Sequence, residues 1–318
     1  MKKTLETSLS ILVGVAAFAA TTALAGTMNT VKVTKFHQSY PYSGKATVEY
    51  TVGGTLPPCA VAEFILNTDN ASATFTQENV VTGANTFTID FASSFGGALL
   101  LTNASFVVTI ERRGVQLWAN GPYWAECNVG ASKPEEYGYY FWWGDTVGYT
   151  NTGSGWISVA DGTSISFSSS GTAGSTYYKD NSALLSAGYI DSTGNLVAAH
   201  DAAHVHWGGA WRMPTDAEFS ALVNNCTTTW ITTNGVNGRL VTGKGDYANR
   251  SIFLPAAGYG FGSSLNGTGS YGFYWPSTPI SDDSSGARYL DFDSSSFSRN
   301  SSNRYLGQSV RPVRGFAE

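Results

Sequence analysis

The stretch that most directly predicts the fold is Trp211-Arg212-Met213-Pro214-Thr215-Asp216-Ala217-Glu218-Phe219. Thr215 is followed three residues later by Glu218, and this spacing lets the hydroxyl and the carboxylate each bind one backbone amide at a helix start, which is a capping box. We therefore predict a short helix that begins directly after Thr215. Pro214 lies just outside this helix and biases Met213 toward an extended conformation.

Working outward from this helix, its apolar stripe needs a sheet to cover it, because Phe219, Leu222 and Val223 share one face. The downstream sequence supplies strand-like runs. Two of them flank the glycine-rich segment 234–238 and predict a hairpin with a somewhat long loop. Further strands are predicted at 251–259, 271–277, 287–292 and 309–314. The C-terminal part of the chain is thus predicted to be α+β with few helices.

The composition favours a turn-rich β protein that does not bind nucleic acid. The chain has 318 residues, enough for two domains, with 36 glycines, 14% aromatic residues and only 13% charged residues. Its formal net charge is −5 at pH 7, and no basic stripe occurs in it. Because nucleic-acid binding depends on cationic side chains that displace counterions, we predict no nucleic-acid partner.

The N-terminus has the pattern of a secretory signal. Lys2 and Lys3 precede an apolar run at 9–20, and Ala23-Leu24-Ala25 gives a small-residue cleavage site. We predict a signal peptide at 1–25, cleaved before Gly26. No later run approaches the roughly 20 apolar residues of a membrane span. The expected location is therefore extracytoplasmic, in the periplasm, at the cell surface or outside the cell, with no transmembrane segment after cleavage.

The segment 27–113 is predicted to be an all-β domain. Apolar and polar residues alternate in short runs at 31–36, 46–52, 60–66, 86–91 and 105–110. Turn residues separate these runs, and strands at such close spacing predict a β-sandwich of immunoglobulin or fibronectin type. No cluster of titratable residues occurs there, so we expect it to be a spacer for a second domain at 114–318.

The three cysteines are Cys59, Cys127 and Cys226. A secreted chain permits disulfides, and an odd number leaves one thiol free. Because Cys127 and Cys226 lie in the same predicted domain, we favour a bridge between them. The alternative is three buried thiols, since free cysteines are commonly buried.

A series of sequence motifs in the second domain resembles those of a known family. They include Trp124-Ala125-Glu126-Cys127-Asn128-Val129-Gly130-Ala131 with Glu136-Tyr137-Gly138, then Trp207-Gly208-Gly209-Ala210-Trp211-Arg212-Met213-Pro214-Thr215, and finally 234–238, 252–259 and 309–313. Their order is that of the Fibrobacter succinogenes major paralogous domain, which the chain resembles over residues 115–316. The resemblance implies a C-type lectin-like fold, related to formylglycine-generating enzymes and to the variable proteins of diversity-generating retroelements. It implies no settled activity.

The chain departs from this family at Pro276, where the family more often has serine. A proline there removes one donor from a strand and predicts an edge or a bulge.

Three kinds of chemistry can be tested on the sequence. Calcium-dependent C-type lectins use Glu-Pro-Asn and Trp-Asn-Asp signatures, and neither tripeptide occurs here. A formylglycine-generating type of oxidase needs two cysteines late in the chain to bind copper, but none follows Cys226. A glycosidase needs a pair of carboxylates, and nothing in the sequence singles one out. We therefore predict a protein without catalytic residues or a cofactor.

The histidine group His200, His204 and His206 is a weak candidate for metal ligands. On a helix, His200 and His204 would lie on one face at a spacing of four residues. A third ligand and its supporting groups are not evident, so solvated histidines beside a turn are the favoured alternative.

The predicted binding face lies between residues 271 and 305, where aromatic residues alternate with Ser, Asn and Arg. This composition is typical of binding loops, because rings give rigid contact area and the small polar groups give adaptable hydrogen bonds. The resemblance also places the ligand-facing residues just ahead of the last strand. The candidate residues are Tyr271, Tyr274, Trp275, Tyr289, Phe297, Arg299, Asn300, Asn303, Arg304 and Tyr305.

The alternative is that these rings fill the core and that the Ser and Asn tract is a solvated hairpin loop. Taken together, the sequence predicts a secreted or cell-surface, non-catalytic protein for adhesion or recognition, with a protein or a glycan outside the cell as its ligand. Two other functions stay open. They are a carbohydrate-binding accessory module of a polysaccharide-degrading system and a structural component of the cell surface.

Overall fold

The computed structural model describes residues 30–38, 44–57, 59–67, 72–78, 80–95, 105–168, 179–280 and 285–315. The predicted signal peptide lies outside these ranges. Strands dominate and helices are few, so the predicted β-rich character is confirmed. The chain divides into two units, at Arg113 and Gly114. None of the helices in the described ranges has both the length and the apolar character needed to cross a membrane.

The first unit contains two antiparallel sheets of three strands. One has the order β1-β2-β5 and comprises Thr30–Gln38, Lys45–Gly53 and Gly83–Asp90. The other has the order β4-β3-β6 and comprises Ser72–Gln77, Ala60–Asn67 and Ser105–Arg112. A short helix, α1, spans Ala92–Phe95. All five predicted strands form, and β4 is an addition that its weakly apolar sequence did not indicate.

Alternation along the strands places the core of the first unit between its sheets. In β2, Val48 and Tyr50 are buried, and the Tyr50 ring packs edge-on against Phe64 of β3 with 5.4 Å between ring centroids. Phe64 in turn stacks on Phe87 of β5 at 4.8 Å. One apolar core therefore joins strands of both sheets.

The second unit is built from many short elements. Its helices are α2 (Asn181–Ser186), α3 (Ala202–Trp207) and α4 (Asp216–Asn225), with two 3-10 turns at Ala198–His200 and Gly245–Tyr247. Its strands are β7 (Gly114–Gln116), β8 (Tyr123–Ala125), β9 (Tyr149–Asn151), β10 (Trp156–Ser158), β11 (Ser164–Ile165), β12 (Thr227–Thr233), β13 (Val236–Thr242), β14 (Ser251–Pro255), β15 (Tyr259–Phe261), β16 (Ser264–Asn266), β17 (Gly272–Tyr274), β18 (Gly286–Phe292), β19 (Phe297–Asn303) and β20 (Val313–Arg314).

These strands form small antiparallel sheets with the orders β7-β8-β20, β9-β10-β11, β12-β13-β14, β15-β16 and β17-β18-β19. In the first of them β8 pairs with both β7 and β20, so the two ends of the unit lie beside the same strand. Arg212 exchanges two backbone hydrogen bonds with Val313 of β20, each 2.9 Å long. The stretch that precedes helix α4 is therefore tied to the last strand.

Helix α4 confirms the capping box. The Thr215 hydroxyl accepts from the Glu218 amide at 3.2 Å, and the Glu218 carboxylate accepts from the Thr215 amide at 2.8 Å. Glu218 also binds Arg212, with 2.6 Å between Nη2 and Oε1. Phe219 and Leu222 are buried in the core, as the apolar stripe predicts.

The predicted hairpin exists, but its loop is shorter than predicted. Thr233 pairs with Val236, so Asn234 and Gly235 alone form the turn. Both have positive φ, 49° and 83°, as a tight two-residue hairpin turn requires. Three predicted strands are also shorter: β14 ends at Pro255, β17 ends before Pro276, and β20 comprises Val313–Arg314 in place of 309–314.

The core of the second unit contains a fully buried arginine, Arg311. Its guanidinium donates to Asn128 Oδ1 at 2.8 Å, to the Ala125 and Glu126 carbonyls at 3.0 and 2.6 Å, and to the Phe253 carbonyl at 2.9 Å. Burial lowers the pKa of Arg311 to about 10, so it stays charged at neutral pH. A buried cation is costly unless its donors are satisfied, and here backbone carbonyls of two segments satisfy them.

Replacing Arg311 should destabilise the second unit far more than replacing an exposed arginine does. We expect Arg311→Met to lower the free energy of unfolding by about 3 kcal/mol or more, because it leaves several buried carbonyls without a donor. Urea titration followed by tryptophan fluorescence measures this in the second unit, since all 9 tryptophans lie after residue 113. Arg250→Met is the matched control, and an equal loss in both variants would contradict the expectation.

The predicted bridge between Cys127 and Cys226 is wrong. Cys127 is disulfide-bonded, as is Cys59, whereas Cys226 is a free thiol. Cys226 follows the last residue of α4 and lies in the apolar core beside Phe219 and Leu222. The location of two cysteines in one domain does not decide their pairing, because a disulfide needs their Cα atoms about 4.4–6.8 Å apart.

One thiol should therefore be detectable, and only after unfolding. Burial raises the pKa of Cys226 to about 11, which leaves little reactive thiolate. We expect the native chain to react slowly with a thiol reagent and the chain unfolded without reductant to show one thiol. Cys226→Ala should show none. Rapid reaction of the native chain, or three thiols on unfolding, would contradict this assignment.

Candidate functional site

The sheet β17-β18-β19 has one covered face and one partly open face. Its register pairs Phe273 with Asp291 and Tyr274 with Leu290. Tyr274 and Leu290 join the same core as Phe219 of α4, so this face is covered. Side chains alternate along a strand, so Phe273 and Asp291 lie on the opposite face, where both are only partly buried.

The hairpin β15-β16 adds two more rings to the open side. Gly260 packs against Phe167 and Trp156, and a Cβ at this position would collide with the Phe167 ring. Because neighbouring residues of a strand point to opposite faces, Tyr259 and Phe261 point away from this contact. The glycine thus lets the hairpin lie flat on the core and directs both rings outward.

The rings on this side form two groups, which together we call the aromatic face. Phe273 is at its centre, with its ring centroid 5.1 Å from that of Tyr259 and 6.1 Å from that of Tyr271. Phe261 lies 6.2 Å from Tyr305. The aromatic face is therefore defined by Tyr259, Phe261, Tyr271, Phe273 and Tyr305.

Two of these rings are about half exposed to solvent. Phe261 is 51% exposed and Tyr271 is 46% exposed, while Tyr289 supports Phe273 from below with 5.6 Å between their centroids. Large apolar rings at this exposure, beside others that are half-buried, are typical of a surface that binds something.

Polar groups lie beside the rings. The Ser298 hydroxyl donates to Asp291 at 2.9 Å, and the Asn303 amide donates to the Tyr305 hydroxyl at 3.3 Å. Asn300 pairs with Tyr289 across the ladder and is exposed. The aromatic face therefore has hydroxyl, amide and carboxylate groups within its surroundings.

The electrostatics of this side reflect partial burial. Desolvation raises the pKa of Asp291, and nearby Asp293 adds to the effect while Ser298 opposes it. Burial, followed by the charge of Asp291 and by Tyr259, raises the pKa of Tyr289 to about 12. Tyr289 is therefore a neutral hydrogen-bonding group at any physiological pH.

The prediction that they face a ligand is wrong for three residues, because they are fully buried. Tyr274, Trp275 and Arg304 are each 0% exposed, so they contact the interior and present nothing to a ligand. Trp275 donates its indole N–H to the Phe141 carbonyl at 2.9 Å, and Tyr274 donates to the Pro255 carbonyl at 2.7 Å. The Arg304 guanidinium lies 4.6 Å from the centroid of the Trp143 ring. For these rings the alternative interpretation, that they fill the core, is the correct one.

Phe297 and Arg299 lie on the covered side of the sheet. Phe297 stacks on Phe292 at 5.8 Å between centroids, and Arg299 forms an ion pair of 2.7 Å with Asp216 at the start of α4. Tyr289 is only 8% exposed and belongs to the core against which Phe273 packs. The other predicted residues lie on or beside the aromatic face: Tyr271, Asn300, Asn303 and Tyr305.

Tyr259, Phe261 and Asp291 lie at this site but are not among the residues predicted from the sequence. The alternation Tyr259-Gly260-Phe261 was a usable signal, because a glycine between two rings in a strand indicates close packing on one side. One alternative predicted from the sequence was that the Ser and Asn tract is a solvated loop. Residues 297–303 instead form strand β19.

The histidines do not converge. His204 Nδ1 lies 3.3 Å from the Trp211 carbonyl, and His206 Nε2 lies 2.9 Å from the Thr146 carbonyl. His200 interacts with Gly144 and packs 4.4 Å from the Tyr189 ring. Among the residues that the structure places, no group of three His, Cys, Asp or Glu side chains is arranged to hold a metal ion.

Asp201 organises the histidine segment. Its carboxylate accepts from the His204 amide at 2.8 Å, capping α3, and from the Met213 amide at 2.8 Å. It thereby joins α3 to the extended residues before α4. Desolvation raises the pKa of Asp201 from its ordinary value of 3.8 to about 6, against the effect of these hydrogen bonds.

Comparison with known proteins gives no match: neither a protein-family model, nor a curated protein, nor a solved structure matches this chain.

The raised pKa of Asp201 makes stability depend on pH. Between pH 3.8 and about pH 6 the folded chain binds a proton at Asp201 more tightly than the unfolded chain does. The contribution of Asp201 to the free energy of unfolding therefore falls as the pH rises through that window. Relative to Asp201→Asn, the free energy of unfolding of the wild type should fall by up to about 3 kcal/mol across it. Urea titrations at several pH values measure this difference, and a difference that rises with pH would refute it.

Proposed function

We propose that this chain is a secreted or cell-surface protein that binds an extracellular protein or glycan without catalysis. The observation that carries the proposal is the aromatic face, with half-exposed Phe261 and Tyr271 held on a sheet-backed scaffold. Rings contribute large contact area and lose little side-chain entropy on binding. Four of the ten predicted binding residues lie on or beside this face: Tyr271, Asn300, Asn303 and Tyr305.

The extracytoplasmic location rests on the signal-like N-terminus and on the disulfide-bonded state of Cys59 and Cys127. Disulfides persist mainly in oxidising compartments. Both observations favour export, and both are independent of the aromatic face.

We propose further that the first unit is an immunoglobulin- or fibronectin-like spacer and the second a C-type lectin-like domain. For the first, the sheet orders β1-β2-β5 and β4-β3-β6 around one core support a two-sheet sandwich with crossing connections. For the second, support comes from the family resemblance and from the pairing of its first and last strands with β8.

The aromatic face is suited to binding because its rings are braced. Each ring rests on another ring or on the sheet, so a ligand meets a surface that is already ordered. The nearby carboxylate of Asp293 is already committed to its own hairpin turn, where it accepts from the Ser295 and Ser296 amides at 2.6 and 2.7 Å.

Binding should depend on the two exposed rings. We expect the labelled chain to bind intact cells or insoluble extracellular material, and Tyr271→Ala and Phe261→Ala each to weaken binding at least about tenfold. Tyr123→Ala is the matched control, because Tyr123 is an exposed ring on strand β8 of another sheet.

Thermal unfolding of each variant should stay close to that of the wild type, since about half of each ring is exposed and neither lies in the core. The proposal fails if the chain binds none of these materials, or if binding is equally strong in all three variants.

A further inference from the structure

We infer that the ligand of the aromatic face is a neutral glycan chain, bound by stacking on Tyr271 and Phe261 and by hydrogen bonds to Asp291 and Asn300, without a metal ion. The inference rests on the proposed function and names the ligand class for the same surface.

The shape of the face favours stacking over insertion. Phe273 already packs against Tyr259, Tyr271 and Tyr289, with centroids 5.1 to 6.1 Å apart, so the rings fill the space between one another. A cage for a cation would need an open gap between rings. What remains available is the outer surface of individual rings, which suits the flat C–H side of a sugar ring.

The charge of the face favours a neutral ligand. The described strand positions that share it carry no lysine or arginine; they are Tyr259, Phe261, Ser264, Asn266, Phe273, Ala287, Tyr289, Asp291, Ser298, Asn300 and Ser302. An acidic glycan would meet the Asp291 carboxylate without a compensating cation. A neutral glycan avoids this repulsion.

The polar groups match hydroxyls. A sugar hydroxyl both donates and accepts, and the face offers an acceptor in Asp291, an amide in Asn300 and a hydroxyl in Ser298. Asp291 accepts from Ser298 at 2.9 Å and retains further acceptor positions on its two oxygens. A protein partner would need about 800 Å² on each side around an apolar centre. Two separate exposed rings within a polar surround fit a sugar chain better.

The rings also indicate a chain in preference to a single sugar. Tyr271 packs on Phe273, whereas Phe261 packs on Tyr305. The two exposed rings are thus separate stacking positions, and an oligosaccharide can occupy both.

The first experiment is affinity electrophoresis of the full chain in gels that contain neutral soluble polysaccharides: xylan, mixed-linkage β-glucan and galactomannan. We expect retardation by at least one of them, an apparent Kd raised at least tenfold by Tyr271→Ala and by Phe261→Ala, and a smaller loss with Asp291→Asn. Tyr123→Ala and Asp246→Asn are the matched controls. Chelation with EDTA should change nothing. Stronger retardation by acidic polygalacturonate, or loss of binding with EDTA, would overturn the inference.

A second experiment separates this inference from the proposed function. The extracellular material that the chain binds is treated either with periodate, which cleaves sugar diols, or with protease. Loss of binding after periodate supports the glycan. Binding that depends on the two rings, resists periodate and is lost after protease overturns the glycan inference. The proposed function then stands, with a protein as the ligand. Binding that is unchanged by Tyr271→Ala and Phe261→Ala overturns both the glycan inference and the proposed function.

Discussion

The second unit depends on one buried cation, Arg311. Its guanidinium joins the end of β8, through the carbonyls of Ala125 and Glu126, to β14 through the carbonyl of Phe253. Asn128, which accepts from Arg311, also donates to the Tyr274 hydroxyl at 3.3 Å. Strands that are distant in the sequence are thereby held at fixed spacing, and any one of them that moved would leave a buried charge without its acceptors.

This network positions the aromatic face from behind. Tyr274 is fully buried and donates to the Pro255 carbonyl at 2.7 Å, which fixes β17 against the end of β14. Because side chains alternate, the same strand directs Phe273 to the open side. Tyr259 follows four residues after Pro255 and meets Phe273 there at 5.1 Å. The rigidity of the outer rings is thus a consequence of hydrogen bonds made in the core.

Local features were predictable, because they depend on neighbours in the sequence. The capping box at Thr215 and the hairpin at Asn234 are set by a few adjacent residues, as are most strands. Features that depend on distant contacts were predicted less well. The pairing of cysteines and the burial of Trp275 are examples, since Trp275 is covered by Phe141, 134 residues away along the chain. The predicted binding region overlaps the aromatic face, yet four of its predicted members are buried: Tyr274, Trp275, Tyr289 and Arg304.

The sequence by itself determined the β-rich character, the capped helix, the turn residues and the concentration of rings near the C-terminus, because composition and short-range spacing are sufficient for these. Only the tertiary structure decided which rings face solvent. Alternation along β17 separates Phe273 from Tyr274, but whether a side is open depends on what packs against it. The core that contains α4 covers the side of Tyr274, and Tyr271 stays open because no other segment in the described part of the chain covers it fully.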